Sequence, residues 1–235
     1  MKKKTGLIRL IPFYILVISC FLLGTWWANH AVTVMAENEP ITGRTCIVID
    51  AGHGGVDGGT TSCTGVLESG INLEISLRLR DMLHLLGYQT HMIRTEDISI
   101  HSKGDTIAQK KISDLKNRVE IINKTENGIL VSIHQNYFSD SRYSGAQVFY
   151  PTTPESEQLA GMMQKALVQH LNPGSNRSSK KVSGVYLMEH IQCTGILIEC
   201  GFLSNPEEEA KLRSEDYQKQ LCCVIAATLS IFTSP

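Results

Sequence analysis

Short runs rich in apolar and β-branched residues alternate with longer amphipathic runs along residues 46–232. The short runs predict five strands, at 46–50, 88–94, 128–134, 144–151 and 194–200. The longer runs repeat apolar residues every three or four positions and predict four helices, at 68–87, 114–125, 154–171 and 214–232. The polar segments 95–113 and 172–184 are predicted to be surface loops. This alternation favours a single α/β domain with a largely parallel, twisted sheet and helices on both faces.

The N-terminal segment has a different pattern from the rest of the chain. Residues 10–28 carry no charged side chain, and a run of this length can cross a bilayer as a helix. Four basic residues precede the run, and by the positive-inside rule they place the remainder of the chain outside the cytoplasm. We therefore expect an N-terminal transmembrane or signal helix before the α/β domain.

Three alternatives remain open for the processing of this segment. It is an uncleaved anchor, a signal peptide cut after Ala36 with Val34 at the −3 position, or a lipidated segment with Cys20 in a lipobox-like stretch. Each of the three alternatives exports residues 41–235. The predicted organisation is a membrane anchor or signal segment with its linker at 1–40, followed by a catalytic domain at 41–235.

Composition excludes several classes of function. The formal net charge is −1, so no basic surface predicts nucleic acid as a partner. No C-x-x-C pair is present, and a cysteine-type zinc site is therefore not predicted. We predict mostly free, buried thiols for the six cysteines that follow the apolar segment, which are Cys46, Cys63, Cys193, Cys200, Cys222 and Cys223.

Residues able to bind a metal or move a proton lie at the ends of predicted strands. His53 follows the strand 46–50, His134 ends the strand 128–134, and Glu199 lies near the end of the strand 194–200. Ligands bind at the carboxyl ends of strands in open α/β sheets. Glu68 opens the helix that follows a glycine-rich loop. These four side chains are the candidate site.

Two histidines and one glutamate form the ligand set of catalytic zinc sites that keep one position open for water. We predict one Zn²⁺ ion bound by His53, Glu68 and His134, with Glu199 as the general base. Each residue alone has a structural alternative, such as a hydrogen-bonded strand-end histidine or a glutamate that favours a helix N-terminus. A phosphate-binding glycine loop is disfavoured, because residues 51–67 separate the strand from the helix.

Four ordered stretches carry a resemblance to a known family: VIDAGHGGVDGG, the LES that contains Glu68, VSIHQN and ILIECGFLSN. They resemble the signatures of zinc-dependent N-acetylmuramoyl-L-alanine amidases of the amidase-3 family, from about residue 45 to 232. The resemblance implies His53, Glu68 and His134 as zinc ligands and Glu199 as the catalytic carboxylate. It implies hydrolysis of the amide bond between N-acetylmuramic acid and L-alanine of peptidoglycan stem peptides. IRTED (93–97) and LKNRVEIIN (115–123) also look like a turn and a helix of this family.

The chain is similar in particular to the spore-cortex, germination-specific (CwlD-type) branch, in SGAQVFY, GVYLM and FLSNPEE. That resemblance implies a role in spore cortex maturation leading to muramic-δ-lactam. It implies action at the extracytoplasmic face of the membrane, with the forespore intermembrane space as one location. Members of this branch can need a lipoprotein partner to hold zinc. Gln135 departs from the family, which commonly has a small residue there, and we expect a changed pocket shape near His134.

Two other functions stay open at this stage. A zinc peptidoglycan endopeptidase or carboxypeptidase would use the same ligand set, because His₂Glu zinc sites also cut peptide bonds. A non-catalytic wall-binding protein is disfavoured, because all four chemical residues are present. Peptidoglycan is the expected substrate or partner in each case.

Overall fold

A computed structural model describes residues 18–20, 23, 25 and 45–234. The chain divides into two units, Met1–Gly43 and Arg44–Pro235. In the first unit the described residues are helical, and most of the expected membrane or signal segment lies outside the described residues. Among the residues that the structure describes, no helix has the length and apolar character of a membrane span.

The second unit alternates strands and helices along residues 45–234. In chain order its elements are β1 (Cys46–Ala51), α1 (Glu68–Leu85), β2 (Gln89–Met92), α2 (Ile107–Lys124), β3 (Gly128–Asn136), β4 (Gln147–Tyr150), α3 (Ser156–Leu171), β5 (Lys180–Lys181), α4 (Tyr186–His190), β6 (Thr194–Phe202), α5 (Pro206–Leu212) and α6 (Glu215–Thr233). The predicted α/β class is confirmed.

The sheet has the strand order β2-β1-β3-β6-β4-β5 and is mixed. β2, β1, β3 and β6 are parallel, whereas β4 is antiparallel to β6 and β5 is parallel to β4. The reversal follows from the connection 137–146, which contains no helix. A parallel return needs a crossover connection, so the chain re-enters the sheet at the same end and runs back. The prediction of a largely parallel sheet is correct for the four strands β1, β2, β3 and β6.

Apolar cores lie on both faces of the sheet, because neighbouring residues of a strand point to opposite sides. Ile47 and Ile49 of β1 pack into the larger core with helices α1, α3 and α6. Val48 between them packs into a smaller core with α2 and α4. On the face of the smaller core the apolar residues of β1, β3 and β6 stop at Val48, Leu130 and Leu197, and polar residues follow toward the carboxyl ends.

Helix α2 begins earlier than the hydrophobic pattern predicts, and the loop prediction for 95–113 is wrong over its last part. The Thr106 hydroxyl accepts the Gln109 N–H at 3.3 Å, and the Gln109 side chain accepts the Thr106 N–H at 3.2 Å. This capping box satisfies two N–H groups at the helix start. The first turns expose Ile107 and Ile112 to solvent, so they show no core-facing period.

Helices α4 and α5 are not predicted by the hydrophobic pattern, because five and seven residues are too few to show a period. The start of α5 has a clear local cause. The Asn205 side chain accepts the N–H groups of Glu207 and Glu208 at 3.0 and 3.1 Å, and Pro206 occupies the first turn. Proline and asparagine are both favoured at these positions.

All cysteines in the described residues are free. Cys200 and Cys222 are buried, as predicted, and burial raises the pKa of both thiols. Cys63 and Cys223 are exposed, so the prediction of buried thiols is wrong for these two. Cys222 occupies the core-facing position of α6, and a helix turns its next residue about 100° away, toward solvent.

Candidate metal centre

The carboxyl end of the sheet gathers polar residues on one face. Residues two positions apart in a strand share a face, so Asp50, His134 and Glu199 continue the face that packs into the smaller core. The strand register pairs Asp50 with Ser132 and His134 with Glu199 on neighbouring strands. Strand geometry alone therefore places His134 beside Glu199.

His53, Glu68 and His134 converge at this edge. Each offers one ligand atom, and these atoms all lie within 4.8 Å of one another. The Glu68 carboxylate lies between the two rings, with Oε1 3.1 Å from His134 Nδ1 and Oε2 3.4 Å from His53 Nε2. The rings meet edge to face with centroids 4.9 Å apart. The structure thus brings the three predicted ligands together, while their metal-binding role stays a prediction.

The glycines of the loop provide the space for this convergence. A Cβ atom on Gly52 would meet the His134 ring at 2.2 Å, and one on Gly59 would lie 2.6 Å from Glu68 Oε2. His53 itself has a φ of 62°, in the left-handed region that non-glycine residues seldom adopt. Such backbone strain is concentrated at functional sites. The loop is therefore closely packed around the His134 ring and the Glu68 carboxylate.

Glu68 is buried and surrounded by donors. Its carboxylate accepts hydrogen bonds from the backbone N–H groups of Thr60 and Gln135 at 3.0 and 3.1 Å. Asn72 Nδ2 donates a third at 3.1 Å. Burial alone would raise the pKa of Glu68, but the two histidines outweigh it and hold the pKa well below the usual range. The carboxylate is therefore ionised and suited to a cation.

Asp57 fixes the orientation of His53. The His53 Nδ1 atom lies 3.0 Å from Asp57 Oδ2, and Lys111 Nζ lies 2.8 Å from Asp57 Oδ1. Burial lowers the pKa of His53, but hydrogen bonds to Asp57 and Glu68 outweigh it and raise the pKa to about 9. A carboxylate behind a histidine is the usual support for a metal-binding ring, because it holds the tautomer that presents Nε2.

Two buried arginines hold the backbone from which these residues project. Arg94 donates to the carbonyls of Ala51, Gly52 and Ser69 at 2.8 to 3.0 Å. Arg118 donates to the His53 carbonyl at 2.7 Å and forms ion pairs with the carboxylates of Asp50 and Asp114. Each donor satisfies a buried carbonyl that would otherwise be costly.

Arg118 also determines the charge of the neighbouring carboxylate. Burial tends to raise the pKa of Asp50, but the Arg118 guanidinium and the Ser132 hydroxyl lower it below its ordinary value. In turn the carboxylates of Asp50 and Asp114 outweigh burial and raise the pKa of Arg118. The pair is ionised, and the Arg118 guanidinium also donates hydrogen bonds to the carbonyls of Ala51 and His53.

Glu199 has a different environment from Glu68. Its Oε2 atom is buried and has no hydrogen-bond partner among the described residues. Burial raises the pKa of Glu199, with the His134 charge acting in the opposite direction. A cavity of about 400 Å³ lies in front of it, between Leu115 of α2 and Tyr186 of α4. His53, His134 and Glu199 all line this cavity, so Glu199 borders the same space as two of the candidate ligands.

Sequence reasoning does not identify the supporting residues. Asp57 lies in the glycine loop, and Arg94 and Arg118 lie in the two weaker stretches that resemble the family, but no pattern predicts their contacts. Gln135 also makes a contact that the sequence does not predict, while its expected effect on the pocket shape near His134 stays a prediction. Its side chain is buried and donates to Asn72 Oδ1 at 3.1 Å, so it supports the Glu68 carboxylate through Asn72.

The α/β sheet, its candidate metal centre and the adjoining cavity are those of a protein with a ligand site suited to a divalent cation. The profile of the Amidase_3 family, described as N-acetylmuramoyl-L-alanine amidase, matches residues 47–230, and the chain belongs to this family. Its reaction is the hydrolysis of the amide bond between N-acetylmuramic acid and L-alanine in peptidoglycan. Family membership selects this reaction from the alternatives left open by the sequence.

Individual relatives agree with this assignment. The chain is 37% identical over 226 residues to the germination-specific N-acetylmuramoyl-L-alanine amidase of Bacillus subtilis (strain 168), covering 95% of this chain and 92% of the relative. The structure of the CwlD amidase from Clostridioides difficile in complex with the GerS lipoprotein matches with a TM-score of 0.77 at 36% identity, covering 80% of this chain and 98% of that one. An N-acetylmuramoyl-L-alanine amidase from Clostridium difficile 630 matches with a TM-score of 0.71 at 30% identity, covering 81% and 97%. The predicted resemblance to the germination-specific branch is confirmed.

Proposed function

We propose that this chain is a zinc-dependent N-acetylmuramoyl-L-alanine amidase whose catalytic domain is residues 41–235. His53, Glu68 and His134 are the ligands of one Zn²⁺ ion, and Glu199 is the catalytic carboxylate. The observation that carries the proposal is the convergence of the three ligand atoms within 4.8 Å. The residues fit the ion, because one ionised carboxylate and two imidazoles are the donor set of open catalytic zinc sites.

The chain's own groups account for the proton transfers. His53, Glu68 and His134 would hold the ion, which would supply a Lewis acid for the scissile carbonyl and would lower the pKa of a bound water. Glu199 takes the proton of the attacking water and donates it to the nitrogen of the departing L-alanine. Glu199 lines the cavity, its buried Oε2 has no hydrogen-bond partner among the described residues, and burial raises its pKa, in the direction that favours a general base. Asp57 and Asn72 keep His53 and Glu68 in place during both steps.

Metal content and turnover, measured on the full-length chain, test the two kinds of role separately. We expect His134→Ala to lose both bound zinc and hydrolysis. Glu199→Gln is expected to keep zinc and lose turnover by at least about 10²-fold, because it cannot accept the proton. His84→Ala and Glu207→Gln are matched controls, since both side chains are exposed and belong to neither the cluster nor the cavity. Full zinc binding by His134→Ala would refute the ligand assignment, and full activity of Glu199→Gln would refute the base.

The products identify the bond that is cut. Purified muropeptides incubated with the full-length chain are expected to release stem peptides with a free N-terminal alanine, detected by mass spectrometry. Cleavage inside the stem peptide would instead identify a peptidase.

The cellular role is the second part of the proposal. Residues 1–40 serve as a membrane anchor or signal segment, and the domain acts on the extracytoplasmic side, in the cortex of the developing spore. The germination-specific name of the Bacillus subtilis relative and the 37% identity support this role. Spores that lack the chain are then expected to lack muramic-δ-lactam, and normal muramic-δ-lactam levels in such spores would contradict the role.

We also propose a lipoprotein partner, because the Clostridioides difficile relative forms a complex with one. The proposed partner stabilises the zinc-bound state, so the isolated chain should hold less than one equivalent of zinc after dialysis. Addition of the lipoprotein should restore a full equivalent. A full, tightly bound equivalent in the isolated chain would remove the need for this partner.

A further inference from the structure

The connection between β3 and β4 carries an unusual set of exposed aromatic side chains. Among the described residues, the largely exposed aromatics are Tyr137, Phe138 and Tyr143, with 52%, 47% and 48% of their surface accessible. All three lie within the same connection, 137–146. Exposed apolar patches that the core does not need are characteristic of binding surfaces.

The aromatic rings form a cluster together with the end of β6. The Phe138 and Tyr143 rings meet edge to face with centroids 4.7 Å apart, and Tyr143 lies 6.1 Å from the Phe202 ring. The Arg177 guanidinium lies over the Phe202 ring, 5.1 Å from its centroid. We refer to Phe138, Tyr143 and Phe202 as the aromatic platform.

The protein holds the aromatic platform in a fixed geometry. The Glu208 carboxylate accepts the N–H of Gly145 at 2.8 Å and the N–H of Phe202 at 2.9 Å, so one side chain joins the loop to the strand end. The Ser204 hydroxyl accepts the Phe138 N–H at 3.2 Å. Because the loop is ordered beforehand, a ligand does not bear the entropic cost of ordering it.

The aromatic platform lies next to the catalytic edge of the sheet. The register pairs His134 with Glu199, and after a register shift, two residues further along β3 and three further along β6, it pairs Asn136 with Phe202. Two residues along a strand span about 6–7 Å. The reaction places a sugar ring at a comparable distance from the scissile amide, since the acyl side of that amide is the lactyl group carried by the muramic acid ring.

We propose that the aromatic platform binds a pyranose ring of the peptidoglycan glycan strand, through stacking of the C–H face of the sugar on Phe138 and Tyr143. Axial C–H groups give a pyranose an apolar face with a slightly positive surface, and aromatic rings present a negative π-face to it. The inference rests on the amidase function proposed above and names the part of the substrate that this surface recognises.

Calorimetric titration of the full-length chain with peptide-free glycan oligosaccharides, made of alternating N-acetylglucosamine and N-acetylmuramic acid, tests the inference. This ligand lacks the amide bond between the lactyl group and L-alanine that the amidase cuts, so binding is measured independently of hydrolysis. We expect Phe138→Ala and Tyr143→Ala to weaken binding about five- to tenfold. Tyr143→Phe retains the ring and should bind within about twofold of wild type. Ile231→Ala, an exposed apolar position in α6, is the control and should bind normally.

Folding is checked by melting temperature, and Phe138→Leu keeps the test decisive if the alanine variants unfold. Leucine retains apolar packing against Tyr143 but removes the π-face, and we expect it to bind as weakly as alanine. Wild-type affinity for the glycan in Phe138→Ala, Tyr143→Ala or Phe138→Leu would overturn the proposal. If such variants instead lost binding of a partner protein, the surface would be a protein interface and the proposal would equally be overturned. Equal weakening by Tyr143→Phe and Tyr143→Ala would likewise overturn it, because stacking would not be the cause.

Discussion

Gly52 offers a sharp test of the geometry at the candidate metal centre. A Cβ atom at this position would lie 2.2 Å from both Cε1 and Nε2 of the His134 ring, and 2.6 Å from Nδ1. Gly52 does not have a positive φ, so alanine can adopt its backbone conformation. Gly52→Ala therefore adds one methyl group against the imidazole and leaves the chemical groups unchanged.

The size of the effect follows from these distances. Carbon atoms in contact lie about 3.5 Å apart or more, so the ring has to retreat by about 1.3 Å or β1 has to shift. A displacement of about 1 Å at a catalytic site costs on the order of 10²-fold in rate. Overpacking of this kind also destabilises a fold by about 1–3 kcal/mol. We expect Gly52→Ala to lose most of its bound zinc, with a rate reduced about 10²-fold.

The loss of zinc, the reduced rate and the reduced stability can be measured on one preparation. The assays are mass spectrometry for zinc content, hydrolysis of muropeptides for the rate and urea unfolding for the stability. Gly70→Ala is the matched control, because it lies in α1 near Glu68 and an added Cβ meets no atom within 4 Å. Alanine should stabilise that helix by about 0.5–1 kcal/mol and leave zinc and rate unchanged. Wild-type zinc content and rate in Gly52→Ala would refute the derived placement of His134.

Three further predictions concern the residues that support the site. Asp57→Asn should weaken zinc binding about 10- to 100-fold in a chelator competition assay, because it loses the charge behind His53; unchanged affinity would contradict this. Arg118→Met should lower the free energy of unfolding in urea by about 3–5 kcal/mol, since it leaves Asp50 buried and unpaired, whereas a loss below about 1 kcal/mol would disprove it. The folded-state pKa of Asp50 is depressed, so its stabilisation is present above the unfolded pKa of about 3.9 and is lost as pH falls through the lower folded value. Wild type should therefore lose stability more steeply below about pH 4 than Asp50→Asn. Parallel stability profiles of the two proteins would rule out this linkage.

The hydrophobic pattern predicts the elements that have long runs. Strands β1, β3 and β6 are continuous apolar runs because both of their faces are covered, and their carboxyl ends carry His134 and Glu199 in the sequence itself. The four ordered motifs predict the family because each is a short, continuous stretch that can be recognised without knowledge of the fold. Thus α/β class, family and candidate chemical residues follow from local information.

Elements with little apolar surface are poorly predicted. The start of α2 depends on a capping box between Thr106 and Gln109, whose effect the hydrophobic period does not register. The reversal of β4 depends on a connection without a helix, and its pairing with β6 joins segments far apart in the chain. A local pattern does not contain the direction in which a strand enters a sheet.

The sequence by itself identified the candidate side chains for binding a metal and transferring a proton, because residue chemistry and period-two alternation are local properties. Only the tertiary structure decided how they are held. The contacts of Arg94 and Arg118 with loop carbonyls, the fit of Gly52 against His134 and the position of the aromatic platform each join residues distant in sequence. Such contacts depend on the register of the sheet and the path of the loops, and these are fixed when the two cores close around the strands.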